Sequence, residues 1–284
     1  MQHQVGFKGQ FYVTSEREFS LRTDVDWLYD LPTWLSGILV AGTFVAIGLL
    51  GLLPTRKWVR SLESVGHSHN DIVGFYLAGV TVLYGVTLAL LAVSTWTTYS
   101  EVETKVEQEA LTLGRLYRSI GGYPEPVRNQ LKEDLREYAR EVINVGWPQQ
   151  RRGIVPTGAS QLLDKFQNHF LQFEPKTETQ KIVHADVYAQ FNALVEDRRR
   201  RLDSVTSGLA RPLWALVLIG AFITIALTWF FDISSLRIHA WMTLLLCALL
   251  GLIIFLVAIL DKPFWGSVSV SPEALQRVYD QIMK

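Results

Sequence analysis

Hydrophobic residues in this chain are concentrated in four uninterrupted runs. Each run reaches the length of about 20 residues that an α-helix needs to cross a bilayer, and none contains Asp, Glu, Lys, Arg or His. Because lipid offers no hydrogen-bond partners, the backbone must satisfy itself within each segment, which favours helices over strands. The predicted spans are Trp34–Leu53, Ile72–Trp96, Leu213–Phe231 and Ala240–Leu260.

The segment between the second and third runs has a different pattern. Residues 97–209 are polar overall, but apolar residues recur at the i, i+3, i+4, i+7 spacing of amphipathic helices. Four helices are predicted, the first continuing from the second span, and Thr177 with Gln180 fits a capping box before the last. The four stripes are Val102, Val106, Leu113, Leu116 and Tyr117; Val127, Leu131, Leu135, Tyr138 and Val142; Leu162, Leu163, Phe166, Phe170 and Leu171; and Ile182, Val187, Phe191, Leu194, Val195 and Leu202.

These patterns predict an all-α integral membrane protein with a helical, polar middle domain. The expected parts are a polar N-terminal tail (1–33), spans one and two (34–96), the helical cytosolic domain (97–209), spans three and four (210–261) and a C-terminal tail (262–284). Residues 1–30 lack the apolar core of a cleavable signal peptide, so the first span would act as its own insertion signal.

Basic residues near the span ends predict the orientation. An even number of spans puts both termini and the middle domain on one side, which carries eleven such residues against four on the other. Basic residues are enriched in the cytoplasm, so the termini and middle domain are predicted to be cytoplasmic. The cluster of Arg56, Lys57 and Arg60 after the first span argues for the opposite orientation.

Composition and motifs narrow the classes of function. The 27 basic and 27 acidic residues give no net charge, and thus no electrostatic case for binding nucleic acid. The single cysteine, Cys247, excludes an internal disulfide. Because the chain has no GxSxG, HExxH, phosphate-binding glycine loop or Cys/His cluster, we expect neither an enzyme nor a cofactor or metal site.

Two motifs carry a family resemblance. The second span opens with His69-Asn70-Asp71-Ile72-Val73-Gly74-Phe75-Tyr76, and the chain leaves the fourth span through Leu260-Asp261-Lys262-Pro263-Phe264-Trp265-Gly266. Over residues 32–272 the chain resembles a bestrophin-like family of bacterial membrane proteins, related to the bestrophin ion channels. In bestrophins a Gly-Phe-Tyr triplet lies on the pore-forming second helix, and a Pro-Phe-Gly segment follows the fourth.

The resemblance implies a homo-oligomer, a pentamer, in a bacterial inner membrane, with small inorganic ions and membrane lipid as its other partners. The second helix of each subunit would surround a central pore. Phe75 matches a narrow neck position, and the other residues expected along the same face are His67, Asp71, Ala78 and Val82.

Several roles stay open at the level of sequence. Phe75 could be a hydrophobic gate or a packing residue. A ring of Asp71 side chains would favour cations. A competing stripe of Thr81, Tyr84 and Thr87 could face the pore instead. His69 and Asn70 could lie at the pore entrance or cap the helix.

The motif after the fourth span is expected to form a cytoplasmic turn. Its members are Asp261, Pro263, Phe264 and Gly266, and Asp261 is expected to pair with Arg211 or with the basic run at 198–201. That run is itself expected to be a solvated or headgroup-facing helix end. Ser267-Val268-Ser269-Val270 replaces the acidic calcium-binding run of animal bestrophins, so calcium gating there is not expected.

The predicted function is therefore passive ion conduction by an oligomeric, bestrophin-like channel through a pore lined by the second helix. The alternative is a non-conducting membrane sensor or scaffold, in which the helical middle domain binds a partner.

Overall fold

The computed structural model of the protein describes residues 31–61 and 67–284, and the side chains of His67 and Ser68 lie outside this description. The predicted N-terminal tail therefore lies almost entirely outside the described residues. Helices and short connections account for the described chain, which contains no strand within these ranges, so the all-α prediction is confirmed. The α-helices are α1 (Thr33–Ser61), α2 (His67–Ser119), α3 (Val127–Glu141), α4 (Trp147–Gln150), α5 (Gly158–Leu171), α6 (Glu178–Asp203), α7 (Arg211–Trp229), α8 (Leu236–Asp261) and α9 (Glu273–Val278).

Four of these helices are long and apolar enough to cross a membrane, namely α1, α2, α7 and α8. Three of them contain a predicted span in full, and α7 ends at Trp229, two residues before the predicted end of the third span at Phe231. The α2 helix runs for 53 residues, so it extends well past the span into the middle domain without a break, as predicted. The α1 helix continues beyond the predicted end at Leu53, with Pro54 inside it.

Small residues let the membrane helices approach one another closely. A Cβ atom on Gly251 of α8 would lie 2.7 Å from the Cα atom of Ala41 in α1, and one on Gly220 of α7 would lie 2.4 Å from the Tyr84 ring of α2. Trp229 at the end of α7 donates from Nε1 to the Gly48 carbonyl of α1 at 2.8 Å. Since lipid provides no hydrophobic drive between helices, close backbone contact of this kind holds the bundle together.

The middle domain is built on the predicted apolar stripes. Most stripe residues of α2, α3, α5 and α6 are buried in one core, but Leu171, Ile182 and Val195 are 58%, 71% and 40% exposed, contrary to prediction. Leu171 and Ile182 lie in the last turn of α5 and the second turn of α6 and face away from this core, to which their neighbours Phe170 and Val183 contribute. The capping box is confirmed, since Thr177 accepts from the Gln180 amide and the Gln180 side chain accepts from the Thr177 amide.

The segment expected to be a C-terminal tail is part of the same core. Phe264, Val270, Leu275 and Met283 are each less than 5% exposed and pack against the middle domain. The difference arises because this segment is short and its α-helix, α9, has only six residues, too few to show a periodic apolar stripe. Burial of these four side chains joins the end of the chain to the helices of the middle domain.

A buried ion pair lies at the centre of the middle domain. Arg201 of α6 donates from Nε and Nη2 to the carboxylate of Glu109 in α2, the latter bond at 3.1 Å, and the two residues are 1% and 0% exposed. Burial alone would lower the pKa of Arg201, but the attraction and hydrogen bonds of Glu109 outweigh it and raise that pKa. The guanidinium therefore stays charged inside the core.

Other polar groups complete this network. Tyr138 of α3 donates to Glu109 at 2.8 Å, and Arg201 Nη1 donates to the Gln150 side chain of α4 at 2.8 Å. Burial, followed by the Glu109 charge, raises the pKa of Tyr138 well above its ordinary value, which keeps the phenol protonated as a donor. The pair thus links α2, α3, α4 and α6.

This arrangement corrects the prediction for the basic run. Arg199 and Arg200 are exposed, as expected, but Arg201 is buried in the ion pair and Arg198 is 9% exposed and donates to the Ser160 hydroxyl at 3.0 Å. Residues three apart lie on the same side of a helix, so Arg198 and Arg201 both face the core. The sequence pattern could not reveal this, because the acidic partner lies 92 residues away.

Replacing Glu109 by Gln should destabilise the protein strongly. Gln keeps the volume but leaves the Arg201 charge buried without a counter-charge, and such losses cost about 3–5 kcal/mol. The measurement is denaturant unfolding of the full chain in detergent. The matched control is Glu196→Gln, which breaks the exposed pair of Glu196 with Arg200 and should have little effect. Equal stabilities of the two variants would contradict this account.

Candidate pore helix

The membrane part of α2 is the least covered of the four membrane helices. Only 11% of its most apolar stretch is buried within the subunit, compared with 44% for α8. An apolar helix that its own subunit leaves bare must be covered by lipid or by other subunits. The orientation of its covered side therefore decides which residues face away from the bundle.

The covered side of α2 faces α7 and α8. Tyr84, Leu88 and Leu91 are buried there in one apolar cluster with residues of α7 and α8. The Tyr84 hydroxyl donates to the Val217 carbonyl of α7 at 2.7 Å, which fixes the rotation of α2 about its axis. Phe75 precedes Tyr84 by nine positions, about two and a half turns, so the two side chains point in opposite directions.

The face around Phe75 is open in the subunit. Phe75 is 81% exposed and Val82 is 65% exposed, and both Asp71 and Ala78 are exposed as well. Asp71 forms no hydrogen bond or ion pair with any described side chain. His67 is the first residue of α2, but its side chain lies outside the described part of the structure. Four of the predicted pore-lining residues, those whose side chains are described, therefore share one face of α2 that the subunit leaves uncovered.

The competing polar stripe does not form an open face. Tyr84 is 7% exposed, and its hydroxyl already donates to the Val217 carbonyl of α7. Thr81 and Thr87 are half-buried, and their hydroxyls donate back to the carbonyls of Leu77 and Leu83 at 2.7 and 2.9 Å. The stripe's hydroxyls are thus satisfied by the subunit itself.

His69 and Asn70 bind the connection between α7 and α8. The Asn70 side chain donates to the Asp232 carbonyl and accepts from the Asp232 amide, both at 2.9 Å, and His69 Nε2 lies 2.9 Å from the Phe230 carbonyl. Because α2 begins at His67, Asn70 lies inside its first turn. Neither residue therefore acts as the helix cap considered from the sequence.

Two arginines of α1 hold the same connection. Arg56 donates to the carbonyls of Ile233 and Ser234, at 3.1 and 2.8 Å, and Arg60 Nε donates to the Asp232 carboxylate at 3.2 Å. These bonds give a structural role to the basic cluster that argued against the predicted orientation. Sequence reasoning missed this role because the acceptors are mostly backbone carbonyls, which leave no signal in a sequence.

The motif after α8 forms a turn that joins the membrane helices to the middle domain. Asp261 is 6% exposed and accepts from the Leu209 amide and from Trp214 Nε1, so it does not pair with Arg211 or with the basic run as predicted. Lys262 Nζ donates to the Ser207 carbonyl at 3.0 Å. Backbone and indole donors replace the expected arginine because the turn places Asp261 against the chain entering α7.

The remaining members of the motif shape the turn itself. The Pro263 carbonyl accepts from the Val270 amide at 2.8 Å, and Phe264 is fully buried against the Trp147 ring, with ring centroids 5.8 Å apart. Gly266 has a φ of 72°, a conformation that side chains disfavour. These contacts hold the motif in a turn that connects the end of α8 to the middle domain.

The described residues contain no group of three or more His, Cys, Asp or Glu side chains that could hold a metal ion. In the membrane part of α2, the chemistry that one subunit offers is thus the exposed carboxylate of Asp71, one turn before an open apolar face. Such a face becomes a site when several copies meet, since one helix encloses nothing.

The fold and this bare second helix define an all-helical integral membrane protein. A family model for the bestrophin-like domain matches residues 42–275. The chain belongs to the bestrophin-like family.

Solved structures agree with this assignment at the level of the fold. A bacterial bestrophin homologue from Klebsiella pneumoniae superposes with a TM-score of 0.63 at 11% identity, covering 87% of this chain and 98% of the homologue. A single-residue variant of that homologue gives a TM-score of 0.60 at 11% identity, covering 86% and 98%. No curated protein matches this chain.

Proposed function

We propose that the chain is one subunit of an oligomeric ion channel that conducts ions passively through a pore lined by α2. The observation that carries the proposal is the uncovered face of α2, which points directly away from the subunit's own packing at Tyr84. In a closed ring of identical subunits, this is the direction of the symmetry axis. Membership of the bestrophin-like family supports the same arrangement.

The proposed assembly is a pentamer in a bacterial inner membrane. On the uncovered side of α2, Gly79 and Gly85 have open space where a side chain would stand. Small residues in this position allow neighbouring α2 helices to approach closely. The pore face would consist of His67, Asp71, Phe75, Ala78 and Val82, repeated by symmetry.

Two rings would control the passage of ions. Asp71 stands four residues before Phe75, so a ring of carboxylates would lie one turn from a ring of phenyl groups. Carboxylate rings favour cations, and apolar constrictions can close by excluding water. Selectivity would therefore arise at Asp71, and the narrowest point would lie at Phe75.

The second candidate is a non-conducting sensor or scaffold. The observation that favours it is the continuity of α2, which passes without a break from the membrane into the core of the middle domain. The geometry of the purified assembly separates the two functions. A closed ring with α2 at its axis supports the channel, and a monomer or dimer supports the scaffold.

The orientation predicted from basic residues is also proposed here, with the termini and the middle domain in the cytoplasm. Thr179 is exposed near the start of α6, and the native cysteine, Cys247, is buried. A Thr179→Cys variant in intact cells should react with a membrane-impermeant maleimide only after lysis. Labelling from outside would reverse the orientation. The wild-type chain is the control for background reaction.

Neutralising Asp71 should change selectivity. In a planar bilayer with a salt gradient, the reconstituted wild-type protein should carry current. Asp71→Asn should move the reversal potential towards the equilibrium potential of the anion, because the ring of negative charge is lost. Asp164→Asn, an exposed site on α5, is the matched control and should leave it unchanged. Persistent silence of a verified oligomer across pH and calcium would contradict conduction itself.

Shortening Phe75 should open the constriction. Phe75→Ala should raise the single-channel open probability several-fold, because a wider ring wets more readily. Phe222→Ala is the matched control, since Phe222 is 57% exposed on α7, away from the proposed axis. If both Phe variants gate like the wild type, Phe75 is not the gate.

A further inference from the structure

A cavity of about 640 Å³ lies between the end of α4 and the connection from α8 to α9. Trp147, Arg151 and Arg152 form one wall, and Ser267, Ser269 and Ser271 form the other. The volume falls in the range of about 300–1,000 Å³ that small-molecule sites occupy. None of these residues belongs to the proposed pore face.

The two walls are held in place by the protein itself. Trp147 Nε1 donates to the Val270 carbonyl and Arg151 Nη2 donates to the Gly266 carbonyl, both at 3.0 Å. Gly153, which follows the two arginines, has a φ of 73°, and a Cβ atom there would lie 2.3 Å from the Trp265 ring. The arginines are thus presented by a fixed turn, so a ligand would not have to order it.

The cavity is positively charged. Among the described residues that line it there are two guanidinium groups and three hydroxyls but no carboxylate. The Arg152 side chain is exposed and makes no hydrogen bond or ion pair with any described residue, while Arg151 uses only one of its nitrogens for Gly266. Guanidinium groups offer paired donors that match the oxygens of a phosphate.

The cavity also lies beside the membrane. The Ser267 hydroxyl is 2.7 Å from that of Thr33, the first residue of α1. Arg151 reaches the Gly266 carbonyl only a few residues after the end of α8. A phosphate group at this level could come from a lipid headgroup or from solution.

We propose that this cavity binds a phosphate-bearing anion. Arg152 is its main ligand, Arg151 contributes its remaining donors, and the serine hydroxyls of the opposite wall complete the contacts. The site is independent of ion conduction, because its ligands lie outside the proposed pore face.

Thermal unfolding of the full chain in an uncharged detergent tests the proposal in two arms. The first compares dioctanoyl phosphatidylglycerol with dioctanoyl phosphatidylcholine, and the second compares sodium phosphate with sodium chloride at equal ionic strength. A ligand that binds only the folded state stabilises it by RT ln(1 + L/Kd), where L is the free ligand concentration, so the midpoint rises with that concentration. A rise with phosphatidylglycerol alone identifies a lipid headgroup, and a rise with phosphate identifies a free anion. No rise in either arm overturns the proposal.

Two variants make the result specific. Arg152→Gln should weaken the apparent affinity of the active probe by about tenfold or more, because a charge-assisted contact is lost. Arg199→Gln removes the same charge from an exposed position on α6 and should leave the affinity unchanged. An equal loss in both variants would show general electrostatic attraction and would overturn the site. A silent channel with intact probe binding would count against the proposed function only.

Discussion

The middle domain depends on one buried charge pair, Glu109 with Arg201. Taking both groups out of water is costly, and the cost is offset by their mutual attraction and by the hydrogen bonds that Tyr138 and Gln150 add to the pair. The pair binds the extension of the second membrane helix to the end of α6. It therefore fixes how the polar half of the protein sits on the membrane half.

The second interaction that organises the molecule is the bond from Tyr84 to the Val217 carbonyl. It sets the rotation of α2, and with it the identity of the side chains that the subunit leaves bare. Phe75, Ala78 and Val82 are exposed because Tyr84, Leu88 and Leu91 are not. In the proposed channel, the pore face follows from how the subunit packs internally.

Much of the fold could be predicted from the sequence, because its signals are local. The uncharged runs marked the membrane helices, and the periodic stripes marked the core of the middle domain. The capping box at Thr177 was visible for the same reason, since its partner is three residues away. The candidate face of α2 could be described from its spacing, but not chosen over the Thr81 stripe.

Apart from the exposed stripe residues Leu171, Ile182 and Val195, the errors share one cause, which is contact between distant parts of the chain. Arg198 and Arg201 looked solvated because Ser160 and Glu109 are remote in sequence. Asp261 was expected to form an ion pair, but its carboxylate accepts hydrogen bonds from a backbone amide and an indole instead. Backbone acceptors likewise explain why Arg56, Arg60 and Asn70 could not be assigned to the α7–α8 connection.

The length of α2 has a mechanical consequence. A helix of 53 residues is about 80 Å long, and it contains no proline at which it would kink. Such a rod behaves as a lever. Rotation about a fulcrum near the Tyr84 contact would move its two ends in opposite directions. A small displacement where Glu109 is anchored would therefore be transmitted as a shift of Asp71 on the far side of the bilayer.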